Sequence, residues 1–417
     1  MRILHVAEAT FAGVGRHVID LSRAQSEAGH EVVVLYGTRR ESDRFRRARE
    51  RNHLVHWRPI DVGRAPDRSD LKAVQTVRAL ARGFRPDVIH GHSAKGGMLA
   101  RSAPRGPWIV AYTPHAVYSM NPELGKRARG GVDLVERGLS ARTDIVIAVS
   151  PEEETHLRLM GIEQTKIVMI PNGIPPLARA EPQLVRRALG LPLDRPVIGF
   201  VGRIDDQKAP HTLLDVFKQI AVARAEVDFV VVGDGTLREA LQERAGISPS
   251  LAGRIHLVGE QPGPWAMSGM DVLLLPSRYE GMPYVLIEAA HLGLPMVVTR
   301  AAGSNLLQDG PSSIQLADVG DVRGLADACI ELVDRWPDRM PGQPDRRFTL
   351  DGMAELTELA YRGEPIDLRD PDAGEPAPIA SDEPVAELID PSGDDDLDMP
   401  TGPIPALPRP IHHRISF

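Results

Sequence analysis

The sequence predicts an α/β protein with two doubly wound domains and a separate tail. Short apolar runs alternate with helical patterns in two series, and this alternation is typical of parallel sheets covered by helices on both faces. A dense cluster of chain breakers at 171–176 separates the two series. We therefore expect one domain at 1–172, a second at 173–345, a short helical segment at 346–362 and a tail at 363–417.

The first series contains five short apolar runs and one helical pattern, which we interpret as strands and a helix. The predicted strands are 1–6, 30–36, 87–90, 108–112 and 145–149, and the predicted helix is 14–28.

The second series repeats the alternation of strand and helix. Its predicted strands are 197–201, 228–232, 255–258, 271–275 and 295–299, and its predicted helices are 211–224, 236–244 and 283–292. A weaker helix is predicted at 350–362, after a Pro-rich joint. Because ligands of open α/β sheets bind beyond the carboxyl ends of the strands, two such domains can hold two ligands in the crevice between them.

The charge is unevenly distributed along the chain of 417 residues. The formal net charge is -8, but the tail holds thirteen acidic residues against three arginines, so residues 1–362 carry only about +2. A nearly neutral folded part does not favour nucleic acid as a partner. The tail also contains eleven prolines, a composition typical of disordered chain.

Cysteine content and hydropathy point to the cytoplasm. The single cysteine, Cys329, excludes an internal disulfide and suits a reducing compartment. The first residues predict a strand rather than a signal peptide, and no apolar run approaches the roughly 20 residues that cross a bilayer. We expect a soluble cytoplasmic protein.

Two glutamates eight positions apart are the most informative local feature. Glu280 lies in a turn after a predicted strand, and Glu288 lies between one and two turns into the next helix, for which Pro283 suits the first position. The backbone N–H groups of Gly281 and Met282 at the helix start form a candidate anion site. A ligand with hydroxyls at both ends and phosphate between them, such as a nucleotide-sugar, fits this pattern.

A second strand-to-helix turn supplies positive charge. Arg203 and Lys208 follow the predicted strand 197–201 and are spaced to bracket a diphosphate, since arginine offers a planar fork and lysine a point charge. The alternative is a solvated charged loop. The combination with the glutamate turn favours the binding role.

The first turn of the chain contains Gly13 and Gly15 between a strand and a helix, so its N–H groups could face a phosphate. As a dinucleotide fingerprint it is incomplete, because Val18 stands where a third glycine belongs and no carboxylate ends the second strand. The alternative is an ordinary tight turn.

His115 ends a strand of the first domain and is expected to face the crevice, where it could bind a sugar hydroxyl or act near the reacting centre. His90 and His92 lie on the preceding strand and turn. No carboxylate or cysteine joins these three histidines locally, so a metal site is not expected.

Taken together, these segments resemble the retaining GT-B glycosyltransferases of family 4. The motifs occur in the family's order along residues 1–362, and they are Gly13-Val14-Gly15, Thr113-Pro114-His115, Ile170-Pro171-Asn172-Gly173, Gly202-Arg203 with Lys208, Val232-Gly233-Asp234-Gly235, and Glu280 with Glu288. The resemblance implies a GT-B architecture of two Rossmann-like domains facing a central crevice. It also implies sugar transfer from a nucleotide donor with retained configuration, without a metal or a tightly bound cofactor.

The resemblance also implies roles for individual residues. Arg203 and Lys208 would hold the donor diphosphate. Glu280 would bind hydroxyls of the donor sugar, and Glu288 would bind the ribose. His115 would lie near the transferred sugar.

In the first domain, Gly13 and Gly15 would let the backbone approach the donor. The helix 350–362 resembles the family's terminal segment, which crosses back to the first domain. The chain departs from the family at Ser304-Asn305, where relatives often have a Pro-Glu pair.

A cluster of seven arginines suggests a possible membrane partner. The cluster comprises Arg39, Arg40, Arg44, Arg46, Arg47, Arg49 and Arg51. Many relatives act on lipid-linked acceptors at the cytoplasmic membrane face, and a basic segment would be attracted to anionic lipid. The alternative is a solvated helix with internal ion pairs.

The sequence therefore predicts a glycosyltransferase that moves a hexose-type sugar to a sugar or lipid-linked sugar acceptor, in polysaccharide or glycolipid synthesis. One alternative is a nucleotide-sugar epimerase of the same fold. Another is a degenerate, non-catalytic scaffold that binds a nucleotide.

Overall fold

The computed structural model describes residues 1–301, 303–307, 314–335, 345–366 and 368. The tail predicted at 363–417 lies almost wholly outside the described residues. The fold of the described part is α/β with two parallel sheets, which confirms the predicted fold class.

The first sheet contains seven parallel strands in the order β3-β2-β1-β4-β5-β6-β7. Its strands are β1 (Arg2–Ala7), β2 (Glu31–Gly37), β3 (His56–Ile60), β4 (Val88–His92), β5 (Ile109–Thr113), β6 (Ile145–Ala148) and β7 (Ile167–Met169). The helices between them are α1 (Ala12–Glu27), α2 (Asp43–Arg51), α3 (Ser69–Phe84), α4 (Ser93–Arg101), α5 (Lys126–Ser140) and α6 (Pro151–Leu159).

The second sheet contains six parallel strands in the order β10-β9-β8-β11-β12-β13. Its strands are β8 (Val197–Val201), β9 (Asp228–Val232), β10 (Ile255–Gly259), β11 (Val272–Leu275), β12 (Met296–Thr299) and β13 (Ile314–Ala317). The remaining helices are α7 (Pro182–Leu189), α8 (Pro210–Ala223), α9 (Arg238–Gly246), α10 (Gly263–Ser268), α11 (Tyr284–His291), α12 (Val322–Val333) and α13 (Leu350–Arg362).

The strands that the sequence missed are short or lie at sheet edges. β3 is an edge strand that contains Pro59, and only Ile60 in it is buried, so it lacks the apolar run that marks a strand. β7 and β13 have three and four residues. By contrast, all five residues of the central strand β9 are buried, as expected for a parallel strand covered on both faces.

The helix α13 packs on the first sheet although it follows the second sheet in sequence. Met353 and Tyr361 are buried in one cluster with Ile3 and Val18. Where the chain crosses between the sheets, Ile174 donates to the carbonyl of Phe348 over 2.8 Å and accepts from Leu350 N–H over 2.8 Å.

Gly173 allows this approach. A Cβ at position 173 would lie 2.1 Å from the carbonyl oxygen of Thr349, so a side chain there would push apart the two chain segments that connect the sheets. The two chain segments that connect the sheets are therefore hydrogen-bonded to each other.

Candidate active site

The predicted site residues follow strands at the two topological switch points. Strand order reverses between β1 and β4 in the first sheet and between β8 and β11 in the second. Gly13 follows β1, Lys208 follows β8 and Glu280 follows β11. Because parallel strands end at one edge of a sheet, the switch points open a crevice at that edge.

Lys208 and Glu280 form the central contact of the second-domain wall. Lys208 Nζ lies 2.6 Å from Glu280 Oε1, and both side chains are about one-tenth exposed. Gln207 Nε2 donates to Glu280 Oε2 over 3.2 Å and to the Tyr279 carbonyl over 3.1 Å. Both carboxylate oxygens of Glu280 therefore have a polar partner.

The local sequence explains why Lys208 points at this carboxylate. Residues 206–208 form one 3-10 turn, and the side chain of Asp205 accepts from the N–H of Lys208 over 3.3 Å. Ala209 then adopts a left-handed conformation, which ends the turn before Pro210 begins α8.

Arg203 lies on the same wall but is held by different partners. Its guanidinium pairs with Asp205 over 2.6 Å and donates to Gln207 Oε1 over 3.0 Å. It also lies 6.0 Å from the ring centre of Phe11, in the first turn of the other domain. Arg203 therefore faces the crevice between the domains.

Glu288 is paired with a residue that the sequence did not single out. Arg16, in α1 of the first domain, forms an ion pair with Glu288 Oε1 and lies 4.4 Å above the ring of Tyr284. Burial opposes the charge on Arg16, but Glu288 and Asp20 outweigh it and hold its pKa above the ordinary value. This contact joins the two walls of the crevice.

The turn before α11 differs from the sequence prediction by one position. Pro283 is the residue before the helix, with an extended backbone, and α11 begins at Tyr284. Among the described residues, the N–H groups of Gly281 and Met282 donate no hydrogen bond. Met282 itself is a buried side chain.

Two of the predicted glycines are required by packing. A Cβ at Gly281 would lie 3.0 Å from the Ala116 nitrogen and 3.2 Å from Val149, so this glycine lets the glutamate turn approach the first domain. A Cβ at Gly15 would lie 2.8 Å from the Thr10 carbonyl carbon, within the first domain. Gly13 is less crowded, since a Cβ there would lie 3.7 Å from the ring of Tyr284.

His115 lies in a strained turn after β5. His115 and Ala116 both have positive φ angles, 57° and 75°, which cost on the order of 1–3 kcal/mol each in a non-glycine residue. The buried carboxylate of Glu153 accepts from Ala116 N–H over 2.7 Å and from Val149 N–H over 2.9 Å. Burial raises the pKa of Glu153 to about 7, against the effect of these bonds.

The first-domain wall contains a histidine cluster, formed by His5, His17, His90, His92 and His115. Burial lowers the pKa of each of them, to about 4 for His5 and His17, so the imidazoles are neutral at pH 7. Two sets of three have ring nitrogens within 4.8 Å of one another, a spacing that could also hold a metal ion.

Hydrogen bonds already use most of these ring nitrogens. His92 bonds to His5 over 2.9 Å and to His115 over 3.2 Å, and His90 bonds to Tyr361 over 2.6 Å and to Thr113 over 2.7 Å. The cluster is therefore a hydrogen-bonded network in the described structure.

Two further bridges connect the domains, and neither was predicted. Asn172 Oδ1 accepts from His17 Nδ1–H over 3.0 Å, and Asn172 Nδ2 donates to the Met282 carbonyl over 2.7 Å. Glu152 of α6 accepts from Gly303 N–H over 2.9 Å and from Asn305 Nδ2 over 2.7 Å. Asn305 is thus a domain-bridging residue at the point where the sequence departs from the family pattern.

Only the proline-asparagine-glycine break signalled Asn172 in the sequence. Arg16, Glu152 and Glu153 stand in ordinary helical patterns, and their partners are remote in the chain.

The arginine cluster at 39–51 is partly neutralised within the fold. Four of its seven members form ion pairs: Arg39 with Asp61 and Asp67, Arg40 with Glu8, Arg46 with Asp43, and Arg49 with Glu41 and Glu50. None of the helices in the described ranges is long and apolar enough to cross a bilayer.

Comparison with known proteins gives one family match in each half of the chain. Residues 11–176 match the model of Glycosyltransferase Family 4, and residues 195–335 match that of Glycosyl transferases group 1. The chain is 29% identical over 279 residues to UDP-Gal:alpha-D-GlcNAc-diphosphoundecaprenol alpha-1,3-galactosyltransferase of Escherichia coli, covering 64% of this chain and 71% of that protein.

Two further similarities extend over most of the chain. A phosphatidylinositol N-acetylglucosaminyltransferase polypeptide of Arabidopsis thaliana is 28% identical over 378 residues, 87% of this chain and 81% of that protein. The fold is similar to that of Anabaena HepE, solved in complex with UDP and glucose, with a TM-score of 0.71, 20% identity, and coverage of 87% of this chain and 99% of that one. The two family matches lie on the two sheets that form the crevice, and the chain belongs to the family 4, group 1 glycosyltransferases.

Proposed function

We propose that this glycosyltransferase moves a hexose-type sugar from a nucleoside diphosphate donor to a sugar or lipid-linked sugar acceptor, with retention of configuration and without a metal. The observation that carries the proposal is the Lys208–Glu280 pair beside Arg203 at the β8/β11 switch point. The pair combines a cation for phosphate with a carboxylate for sugar hydroxyls.

In the proposed mechanism, donor binding exchanges partners within this pair. Lys208 turns from Glu280 to the donor diphosphate, and Glu280 accepts from hydroxyls of the donor sugar. Both side chains are largely buried, so an unpaired charge there would be costly. In this exchange, each charged group keeps a polar partner.

The leaving diphosphate is stabilised by Lys208, Arg203 and the N–H groups of Gly281 and Met282, which donate no hydrogen bond within the described ranges. As the bond between the anomeric carbon and the diphosphate oxygen breaks, the acceptor hydroxyl bonds to that carbon from the same face and passes its proton to the departing diphosphate. Stabilisation of developing charge is typically the largest catalytic contribution in such a site. The contacts that join the two walls keep water out of the crevice and so suppress hydrolysis of the donor.

His115 lies near the transferred sugar, and Glu288 binds the ribose, in this proposal. Arg16 holds one oxygen of Glu288, while the other, Oε2, lies 3.4 Å from the Cβ position of Gly263 at the start of α10. Glu288 Oε2 therefore faces the start of α10, beside which the nucleoside would lie in this proposal.

The first experiment is a thermal-shift screen with UDP, GDP and ADP sugars, beginning with UDP sugars because the similar proteins are described with UDP or a UDP sugar. The active donor is then incubated with acceptors, with and without EDTA, and the anomeric configuration of the product is read by NMR. An inverted product would contradict retention, and loss of activity in EDTA would contradict metal independence.

The same assay separates the alternatives. An epimerase would convert the donor without any acceptor. A non-catalytic scaffold would bind a nucleotide but give no product with any acceptor in the set.

We propose that the acceptor belongs to cell-surface polysaccharide or glycolipid synthesis, and that an anionic membrane surface is a partner. Among the described residues, Arg44, Arg47 and Arg51 have no ion pair and could meet anionic lipid. Flotation of the full chain with phosphatidylglycerol vesicles should be lost in high salt. Absence of binding at low salt would remove the membrane from the proposal.

A further inference from the structure

Three imidazoles and one amide form a continuous hydrogen-bonded chain that ends at the crevice. His115 Nε2 lies 3.2 Å from His92 Nδ1, and His92 Nε2 lies 2.9 Å from His5 Nδ1. His5 Nε2 lies 2.7 Å from Gln25 Oε1 in α1. His5, His92 and Gln25 are fully buried, and His115 is partly exposed.

Each neutral imidazole carries one ring proton, and the hydrogen bonds of the chain determine which nitrogen holds it. Burial keeps the three imidazoles neutral, so each carries one N–H and one bare nitrogen. The carbonyl oxygen of Gln25 can only accept, so the proton of His5 lies on Nε2. His5 Nδ1 then accepts from His92 Nε2–H, and His92 Nδ1 accepts from His115 Nε2–H.

Tyr361 in α13 extends the network beyond Gln25. Burial raises the pKa of Tyr361, and the side chain of Gln25 opposes that rise. Tyr361 can then donate to His90 Nδ1 over 2.6 Å, and His90 Nε2–H to Thr113 over 2.7 Å. Gln25 Oε1 makes the hydrogen bond to His5, whereas Gln25 Nε2 is buried and has no hydrogen-bond partner in the described part of the chain.

We propose that His92 and His5, held by Gln25, are positioning residues that fix His115 with its proton on Nε2 and a bare Nδ1. His115 would then meet the substrate as a hydrogen-bond acceptor, and the group that it recognises is a sugar hydroxyl. This role rests on the proposed position of His115 beside the transferred sugar. The tautomer itself follows from these hydrogen bonds together with the neutrality of the buried imidazoles.

The opposite tautomer would select different chemistry. A proton on Nδ1 would make His115 a donor toward the crevice, suited to a phosphate or carbonyl oxygen. If the partner of His115 could either donate or accept, His115 would interconvert between the two tautomers. In the buried chain, only one tautomer allows all three hydrogen bonds of the chain to form.

The direct test is long-range ¹H–¹⁵N NMR of the full chain labelled at histidine, which distinguishes protonated from bare ring nitrogens. The His115 signals are assigned by their loss in His115→Gln. We expect protonated Nε2 and bare Nδ1 in His115, His92 and His5. A proton on Nδ1 of His115 would overturn the proposal, whatever the activity of the enzyme.

Two substitutions at position 92 test the positioning role. Glutamine can accept from His115 through its oxygen and donate to His5 through its nitrogen, so His92→Gln should keep the His115 tautomer and nearly all of kcat. Phenylalanine offers no partner, so His92→Phe should give mixed tautomers and a roughly 3- to 10-fold lower kcat, the rate equivalent of one lost hydrogen bond. The matched control is His211→Gln in α8, outside the cluster, which should change neither.

The outcomes separate the tautomer from the function. Mixed tautomers in His92→Phe with wild-type kcat would overturn the positioning role. If no donor and acceptor pair gives product, the proposed function fails while the NMR result still decides the tautomer. Should His92→Phe not fold, Gln25→Leu removes the far end of the chain and is expected to mix the tautomers in the same way.

Discussion

The second-domain wall of the crevice holds its charges in pairs, whereas the first-domain wall holds five histidines that burial keeps neutral. Lys208 and Glu280 neutralise each other on the second-domain wall. The histidine cluster on the other wall is satisfied by hydrogen bonds among imidazoles, amides and hydroxyls. In the proposed function, the paired charges of one wall bind the charged diphosphate and the neutral groups of the other bind uncharged hydroxyls.

The difference follows from what each wall must do when no ligand is bound. A lone buried charge is costly, so a phosphate-binding lysine needs a temporary counter-charge. Neutral imidazoles need only hydrogen-bond partners, which neighbouring strands of a parallel sheet supply at one edge. Four substitutions or conditions would break or sharpen this contrast.

The largest effect is expected at Lys208. Lys208→Ala should lower kcat on the order of 100- to 1000-fold, because one contact to the leaving group is worth about 3–4 kcal/mol. Steady-state kinetics with the active donor measure this loss. The matched control is Lys218→Ala, whose partner Asp215 lies beside it on the exposed side of α8. Wild-type turnover in Lys208→Ala would refute the charged wall as the leaving-group site.

The neutral wall should make the protein sensitive to acid. Burial lowers the pKa of His5 and of His17 from 6.5 to about 4, so their contribution to stability is full above pH 6.5 and is lost as pH falls toward 4. The loss is on the order of 3 kcal/mol for each. The pKa of Glu153 is about 7, so its protonation raises the free energy of unfolding as pH falls. This is one group against several histidines, so a net loss of stability is expected.

Denaturant unfolding at pH 7.5, 6 and 5 measures this loss directly. His5→Gln should reduce the pH dependence of the free energy of unfolding by the contribution of His5. His211 bonds to Arg244 outside the cluster, so His211→Gln should follow the wild-type curve. A free energy of unfolding that is constant down to pH 5 would show that the cluster is not buried and neutral.

The contact between the walls depends on Gly281. Gly281→Ala places a Cβ 3.0 Å from the Ala116 nitrogen, so the two turns must separate at a cost of about 1–3 kcal/mol in stability. Gly246, at the end of α9, has no atom within 4 Å of its Cβ position. Gly246→Ala should therefore be neutral or slightly stabilising, and thermal melting compares the two. Equal melting temperatures would contradict the tight contact.

A smaller effect is expected at the bridge between Arg16 and Glu288. Arg16→Gln removes the ion-pair partner of Glu288. If Glu288 binds the ribose as proposed, the donor KM should rise about ten-fold, equivalent to 1.4 kcal/mol. Arg46→Gln, on the exposed face of α2, serves as the control for loss of an arginine. A lower donor KM in Arg16→Gln would mean that Arg16 competes with the ribose.

The sequence located the residues whose signals are local. Glu280, Arg203 and Lys208 lie in turns between a strand and a helix, and Glu288 lies in the helix α11 that follows. Apolar runs with helix patterns mark such turns within a few residues. Strand β9 has the predicted bounds, 228–232, because buried central strands form continuous apolar runs. The edge strand β3 was missed because it has no such run.

Sequence alone therefore determined the fold class, the central strands of both sheets and the charged residues at the strand ends. Only the tertiary structure showed that Lys208 pairs with Glu280, that Arg16 reaches Glu288 across 272 positions, and that the histidines from α1, β1, β4 and the turn after β5 form one network. The physical reason is that local patterns encode a residue's element and burial, whereas the partner of a buried polar group depends on which strands become neighbours in the sheet.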